Sequence, residues 1–291
     1  MSLDEFGPDV FLGWLKTTKQ FFDSNRINLP GSAIAIDTIL LYFQINQGKL
    51  DSAKLQQLYA NFKQAIRNEF PLKGKYEKKI FNKLEKDVTN SLQHYLQQTN
   101  DFFNSSVRLE IGQQRRHSSH MVETLKSLVL REPRPNEEDE FIGLSYAYAS
   151  QISGVFRYAL QDCYAWEKIS KNKPIDPNKV SYMEVEDLFD YYNSQGDLLY
   201  FEGYDVIVRN SIAHSNFQFD SETMKMTYIN ETKKEEIGAT GIIMGTKKTV
   251  EYSYEQVRQM YANISSIYSL IMIMNQILMV GTCIHYLELK Y

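Results

Sequence analysis

Arg209, Asn210 and His214 bring a guanidinium, an amide and an imidazole into one six-residue stretch. Arginine carries a planar fork of donors that matches phosphate oxygens. Histidine has the one side chain whose ordinary pKa lets it take and give a proton near neutrality. On a helix, Asn210 and His214 are four apart and share a face, with Arg209 to one side of it. Asp205 precedes Arg209 by four and is placed to hold the fork. A plainer use of the same residues is an Asp205–Arg209 surface pair worth roughly 0.3–0.5 kcal/mol. His214 would then cap the helix C-terminus, where a partly charged imidazole is favoured.

The elements that must position these groups are legible as periodicity. An apolar face recurs at Tyr200, Tyr204, Ile207, Val208, Ser211 and Ile212, the spacing of an amphipathic helix. The pattern then alternates, Phe217 and Phe219 against Gln218 and Asp220. The three polar groups therefore belong to the last turn of a helix that gives way to an extended segment.

The run Val208, Arg209, Asn210, Ser211, Ile212, Ala213, His214 resembles the signature of the HEPN families, the "higher eukaryotes and prokaryotes nucleotide-binding" helical domains. Their motif is an Arg, commonly followed by Asn, Asp or His, then a gap of four to six residues before a His; here the gap is the four residues Asn210 to Ala213. The small Ala213 before the His, Asn216 and Phe217 after it, and long helical patterns on either side agree with it. The resemblance covers about the second half of the chain. It implies a core of two long antiparallel helices with the motif near one end, and two subunits that bring their motifs into one cleft. It further implies either a metal-independent endoribonuclease of the toxin or antiphage-defence kind, or a non-catalytic interaction or nucleotide-binding module. In the first case Arg209 binds the scissile phosphate, His214 is general acid or base on the ribose 2′-hydroxyl and the leaving oxygen, and Asn210 orients one of them. Tyr204 and Phe217 are candidates to stack a base, with core packing as the alternative. The expected partners are RNA, a second copy of the chain and, for a toxin, an antitoxin. No cofactor is implied.

The composition bounds these readings. The 291 residues include 43% hydrophobic and 13% aromatic residues, ample for a folded core. A formal charge of −4 excludes a general nucleic-acid sponge, so any RNA contact is local. Cys163 and Cys283 both sit in apolar helical patterns and read as buried thiols of a reducing compartment. No basic, apolar leader opens the chain, and the expected location is cytoplasmic.

The organisation expected is mainly α, with an N-terminal helical region over 1–131 and a HEPN-like helical domain over 136–291. The boundary is set by Pro133 and Pro135 and the acidic run after them. Helical patterns occupy Val10–Phe22, Ala33–Phe43, Leu55–Phe62, Tyr76–Leu96 and Val107–Leu130. The second, apolar almost all round, is expected at the centre of the core. Basic residues from Lys73 to Lys86 raise a duplex-DNA-binding alternative for 1–131, but interleaved acids favour a solvated face. Arg115 and Arg116 could offer a cationic surface to a phosphate backbone. His117 and His120 have a metal-compatible spacing but no third ligand at a telling distance, so no metal site is expected. In the second half, a long helix from Glu140 to Ser170 is followed by a loop over 173–178. A hairpin or three-stranded insertion spans about 216–253. Gly238, Gly241 and Gly245 follow no phosphate-loop spacing. Ser253 and Gln256 fit a capping box that opens the last helix. That helix is apolar enough to raise a membrane span, but Asn275 and Gln276 interrupt it, and a buried core or subunit-interface helix is expected.

Overall fold

The computed structural model describes residues 16, 19, 30–46, 51–69, 75–103, 105–108, 110, 114, 118, 120–122, 124, 136–233 and 245–290. Several of its helices begin where a side chain accepts from otherwise unpaired first-turn N–H groups. Asp51 accepts from the N–H of Ala53 at 2.9 Å, Asn136 from Asp139 at 2.7 Å, and Asp176 from Asn178 at 2.9 Å. At the last helix the capping box forms in both directions: Ser253 N–H donates to Gln256 Oε1 at 2.8 Å, and Gln256 N–H to Ser253 Oγ at 3.3 Å.

The elements so delimited are α1 (Pro30–Asn46), α2 (Ser52–Glu69), α3 (Lys75–His94), α4 (Leu96–Phe103) and α5 (Glu137–Gln151). A π-helical turn (Ile152–Phe156) leads directly into α6 (Arg157–Ser170), followed by α7 (Pro177–Tyr182), α8 (Val185–Ser194) and α9 (Val206–Ala213). Strands β1 (Phe217–Asp220), β2 (Lys225–Lys233) and β3 (Gly245–Ser253) precede α10 (Tyr254–Lys290). The chain is thus mainly helical with one small antiparallel sheet in the order β1-β2-β3. The described residues between 106 and 124 are helical as expected, but Arg115, Arg116 and His117 lie outside the described residues. So do the Pro133 and Pro135 boundary, Gly238 and Gly241, and the expected helix over Val10–Phe22 apart from Lys16 and Lys19.

Two compact units emerge, one of residues 1–105, 165–175 and 270–291, the other of 106–164 and 176–269. They do not follow the sequential division at 131–136, because α6 and α10 each contribute residues to both. In the first unit Ile36 and Ile39 of α1 are fully buried with Leu55, Leu58, Phe62, Ile80 and Leu84. The apolar circumference of α1 is not all core, however: Ile34 is 67% and Leu41 55% exposed. Trp166 stacks on Phe103 at 4.4 Å, and its indole N–H donates to Asn275 Oδ1 at 3.1 Å. The amide that interrupts the apolar run of α10 is therefore matched to a buried donor, as a buried polar group requires. Among the described residues no helix is long and apolar enough to cross a membrane.

In the second unit α5 starts with four acids, Glu137 to Glu140, where the helix end favours negative charge. Its inner face buries Phe141, Leu144, Ser145 and Tyr148. Strand β1 pairs with β2 in the register Phe217↔Tyr228 to Asp220↔Lys225, and β2 with β3 from Lys225↔Ser253 to Lys233↔Gly245. Ser145 Oγ donates to Phe141 O at 2.9 Å, so the 2.7 Å bond between Ser145 Oγ and Tyr228 is donated by the tyrosine. That bond pins β2 to α5.

Candidate functional site

The motif helix starts later than its apolar recurrence suggests. Tyr200 and Tyr204 lie in turns, and α9 begins only at Val206. Gly203 has a φ of +84°, and a Cβ placed there would stand 2.8 Å from the carbonyl oxygen of Met260. Only glycine combines that backbone with that approach. Two residues on, Asp205 Oδ1 accepts from the N–H groups of Ile207 (2.7 Å) and Val208 (3.2 Å), and Oδ2 accepts from the Tyr252 hydroxyl at 2.8 Å. Tyr148 completes the anchor: its hydroxyl accepts from Asp205 N–H at 2.8 Å and donates to Gly203 O at 2.7 Å. Burial above all raises the pKa of Tyr148, and the nearby Asp205 charge adds to this. Tyr252 is pushed up to about 12 by desolvation first and its bond to Asp205 second.

Asp205 is thus occupied by the helix start, and the expected Asp205–Arg209 pair is replaced by another. Arg209 Nη1 donates to Glu186 Oε1 at 2.9 Å and to Asn210 Oδ1 at 2.7 Å, and Nε donates to Ser153 Oγ at 3.1 Å. Glu186 comes from the first turn of α8 and Ser153 from the π turn, a distortion enriched at functional sites. Three partners on three elements fix the guanidinium, with its side chain still 22% exposed. Among the described residues Nη2 has no hydrogen-bond partner. Nε and Nη1 are both engaged, so the fork keeps one N–H group, Nη2, to offer an anion.

His214 ends the helix. Its N–H donates to Asn210 O at 3.1 Å, so it stands one turn beyond the amide that receives Arg209. Ser215 adopts φ +52°, with Ser215 N–H bonded to Ile212 O at 3.1 Å and Asn216 N–H to Ser211 O at 2.7 Å, a Schellman closure made without glycine. Ile229 N–H then donates to Asn216 O at 3.0 Å, joining this turn to β2. The turn is held on both sides and presents an exposed imidazole that has no hydrogen-bond or ion-pair partner among the described residues.

No protein-family model, curated protein or solved structure matches the chain significantly.

The structure brings Arg209 and Asn210 into contact and sets His214 one turn beyond them. It removes Tyr204 as a stacking surface. That ring packs between Phe189 (5.5 Å) and Phe201 (5.6 Å), and its hydroxyl is buried without a hydrogen-bond partner among the described residues. Desolvation, then the Glu186 charge, raises its pKa. Phe217 stays half-buried, edge-on to Tyr146 at 6.0 Å. His120 is exposed, and among the described residues no group of three or more His, Cys, Asp or Glu side chains could hold a metal ion. Glu186, Ser153, Tyr148 and Tyr252 escaped the sequence reading. Asp205 beside Gly203, a glycine followed by a capping residue, was the one local signal for part of the anchor.

Proposed function

We propose that the chain is a HEPN-type endoribonuclease that cleaves single-stranded RNA without a metal, working as a homodimer with two motifs in one cleft. The observation that carries this reading is the guanidinium of Arg209, held by Glu186, Ser153 and Asn210 with Nη2 unspent, one helical turn from the exposed imidazole of His214. In the proposed reaction the ribose 2′-oxygen attacks the adjacent phosphorus and the bond from phosphorus to the 5′-oxygen breaks. The 2′ proton leaves to one base, and the departing 5′-oxygen receives a proton from one acid. His214, from one or both copies, supplies these roles. Nη2 of Arg209 binds a phosphate oxygen and stabilises the charge that builds in the phosphorane-like transition state. The products are a 2′,3′-cyclic phosphate and a free 5′-hydroxyl. A cytoplasmic toxin or antiphage-defence setting, with an antitoxin partner in the first case, belongs to the same reading.

The test is cleavage of single-stranded RNA in excess chelator by the wild type and by His214→Ala. The imidazole is exposed and makes no internal bond, so its removal leaves the fold intact. Wild-type activity that survives chelation and is lost in the variant supports the mechanism; equal activity in both, or wild-type activity lost on chelation, rules it out.

A second reading, a non-catalytic nucleotide-binding module on the same scaffold, draws on one observation. His214 lacks the orienting partner that an activated acid or base ordinarily has, and Glu186 already neutralises Arg209. Nucleotide binding with no RNA cleavage by the purified wild type would favour it.

A further inference from the structure

Strand β1 lies along α5 in an ordered series. Phe219 meets Phe141 at 6.1 Å, Phe217 meets Tyr146 edge-on at 6.0 Å, and farther along the same helical path Ser153 meets Arg209. Tyr146 and Ser153 are seven residues apart, which places them on nearly one side of the helix and roughly 10 Å apart along its axis. Tyr146 is 39% exposed, although it rises from a helix whose neighbouring positions 144, 145, 147 and 148 are buried. The acidic first turn of α5 belongs to the opposite, Phe141 end of the series, so those four acids stand away from the stretch between Tyr146 and Arg209, where Glu186 is already paired with the guanidinium. An exposed aromatic ring, braced edge-on by a second ring three residues past His214 and aligned with the guanidinium, has the character of a stacking platform for an unpaired base.

We infer that Tyr146, braced by Phe217, is a nucleobase-stacking subsite for single-stranded RNA, taking a base next to the phosphate that Arg209 binds. The subsite rests on the ribonuclease reading above and adds to it the contact by which an unpaired base is held. Phe217 is the supporting residue, and Tyr146 supplies the exposed face.

The experiment is fluorescence anisotropy with a labelled, 2′-O-methylated single-stranded oligoribonucleotide, which binds but offers no free 2′-hydroxyl for attack. Tyr146→Ala and Tyr146→Leu should each weaken its binding roughly 5- to 150-fold, the range for loss of one base–aromatic stack. Tyr146→Trp should restore binding, since it keeps an aromatic face. Tyr146→Leu retains apolar packing against Phe217, so weakening there reports the lost stack and not a disturbed fold. If the wild type binds and both Tyr146→Ala and Tyr146→Leu bind equally well, the subsite is overturned and the ribonuclease reading stands. If the wild type binds no RNA, both fall together.

Discussion

Nη1 of Arg209 donates to Oε1 of Glu186 across 2.9 Å, tying the motif helix to the first turn of α8. The pair is partly exposed, 22% on one side chain and 32% on the other, so solvent discounts its contribution to stability to about 0.5 kcal/mol. Its value is orientation. Glu186→Ala should therefore leave the urea midpoint nearly unchanged and, for the ribonuclease proposed above, lower kcat on the order of tenfold to a hundredfold. KM should stay level or fall, since a carboxylate beside the phosphate position is gone. An unchanged kcat would remove Glu186 from the site. In double-mutant cycles on stability, Arg209 should couple to Glu186 and not to Asp205.

Gly203→Ala tests the anchor beneath the helix. The added methyl meets the backbone oxygen of Met260 at 2.8 Å in a left-handed conformation, so neither a rotamer change nor a small side-chain shift relieves it. Destabilisation of about 2 kcal/mol or more is expected, read from urea unfolding. A variant as stable as the wild type would show that the turn has other arrangements open to it.

Alkaline pH should loosen the same region. Tyr252 is raised from 10.0 to about 12, and Tyr148 is raised above its ordinary value as well, in both cases chiefly by desolvation. A folded pKa above the unfolded one means the folded state holds the proton more tightly. The contribution is complete below pH 10 and is lost as pH rises through the folded value. Stability should fall between about pH 10 and 12, and Tyr252→Phe should flatten part of that fall. Tyrosinate absorbance followed against pH checks it; an unshifted titration of all the tyrosines would refute the premise.

Much of the local structure was legible from the order of residues. Alternation from Phe217 onward marked the outer bounds of the sheet, Phe217 and Ser253, but not where β2 ends and β3 begins, and Ser253 with Gln256 marked the start of α10. Asn275 stood out as an amide in an apolar run, and its partner proved to be the Trp166 indole. The motif's own surroundings were less legible. An acid four residues before an arginine fits an ion pair and a helix cap equally well, and the outcome depends on where the helix begins. The recurrence of Tyr200 and Tyr204 obscured that start. Both lie outside the helix, and their burial reflects packing against Tyr192 and Phe189 of α8 and against Phe201. Glu186 and Ser153 lie 23 and 56 residues before Arg209. Only tertiary packing brings them to it, and periodicity says nothing about that.

The π turn holds one more residue than an α turn would in the same length of helix. Without that extra position, α6 would rotate by about 100° about its axis relative to α5. Phe156 packs against Phe201 inside the second unit, while Ser153 receives Nε of Arg209. A chain one residue shorter there could keep the serine under the guanidinium or the phenylalanine in the core, but not both; the inserted residue sets the phase between the side of this helix that meets Arg209 and its packed side.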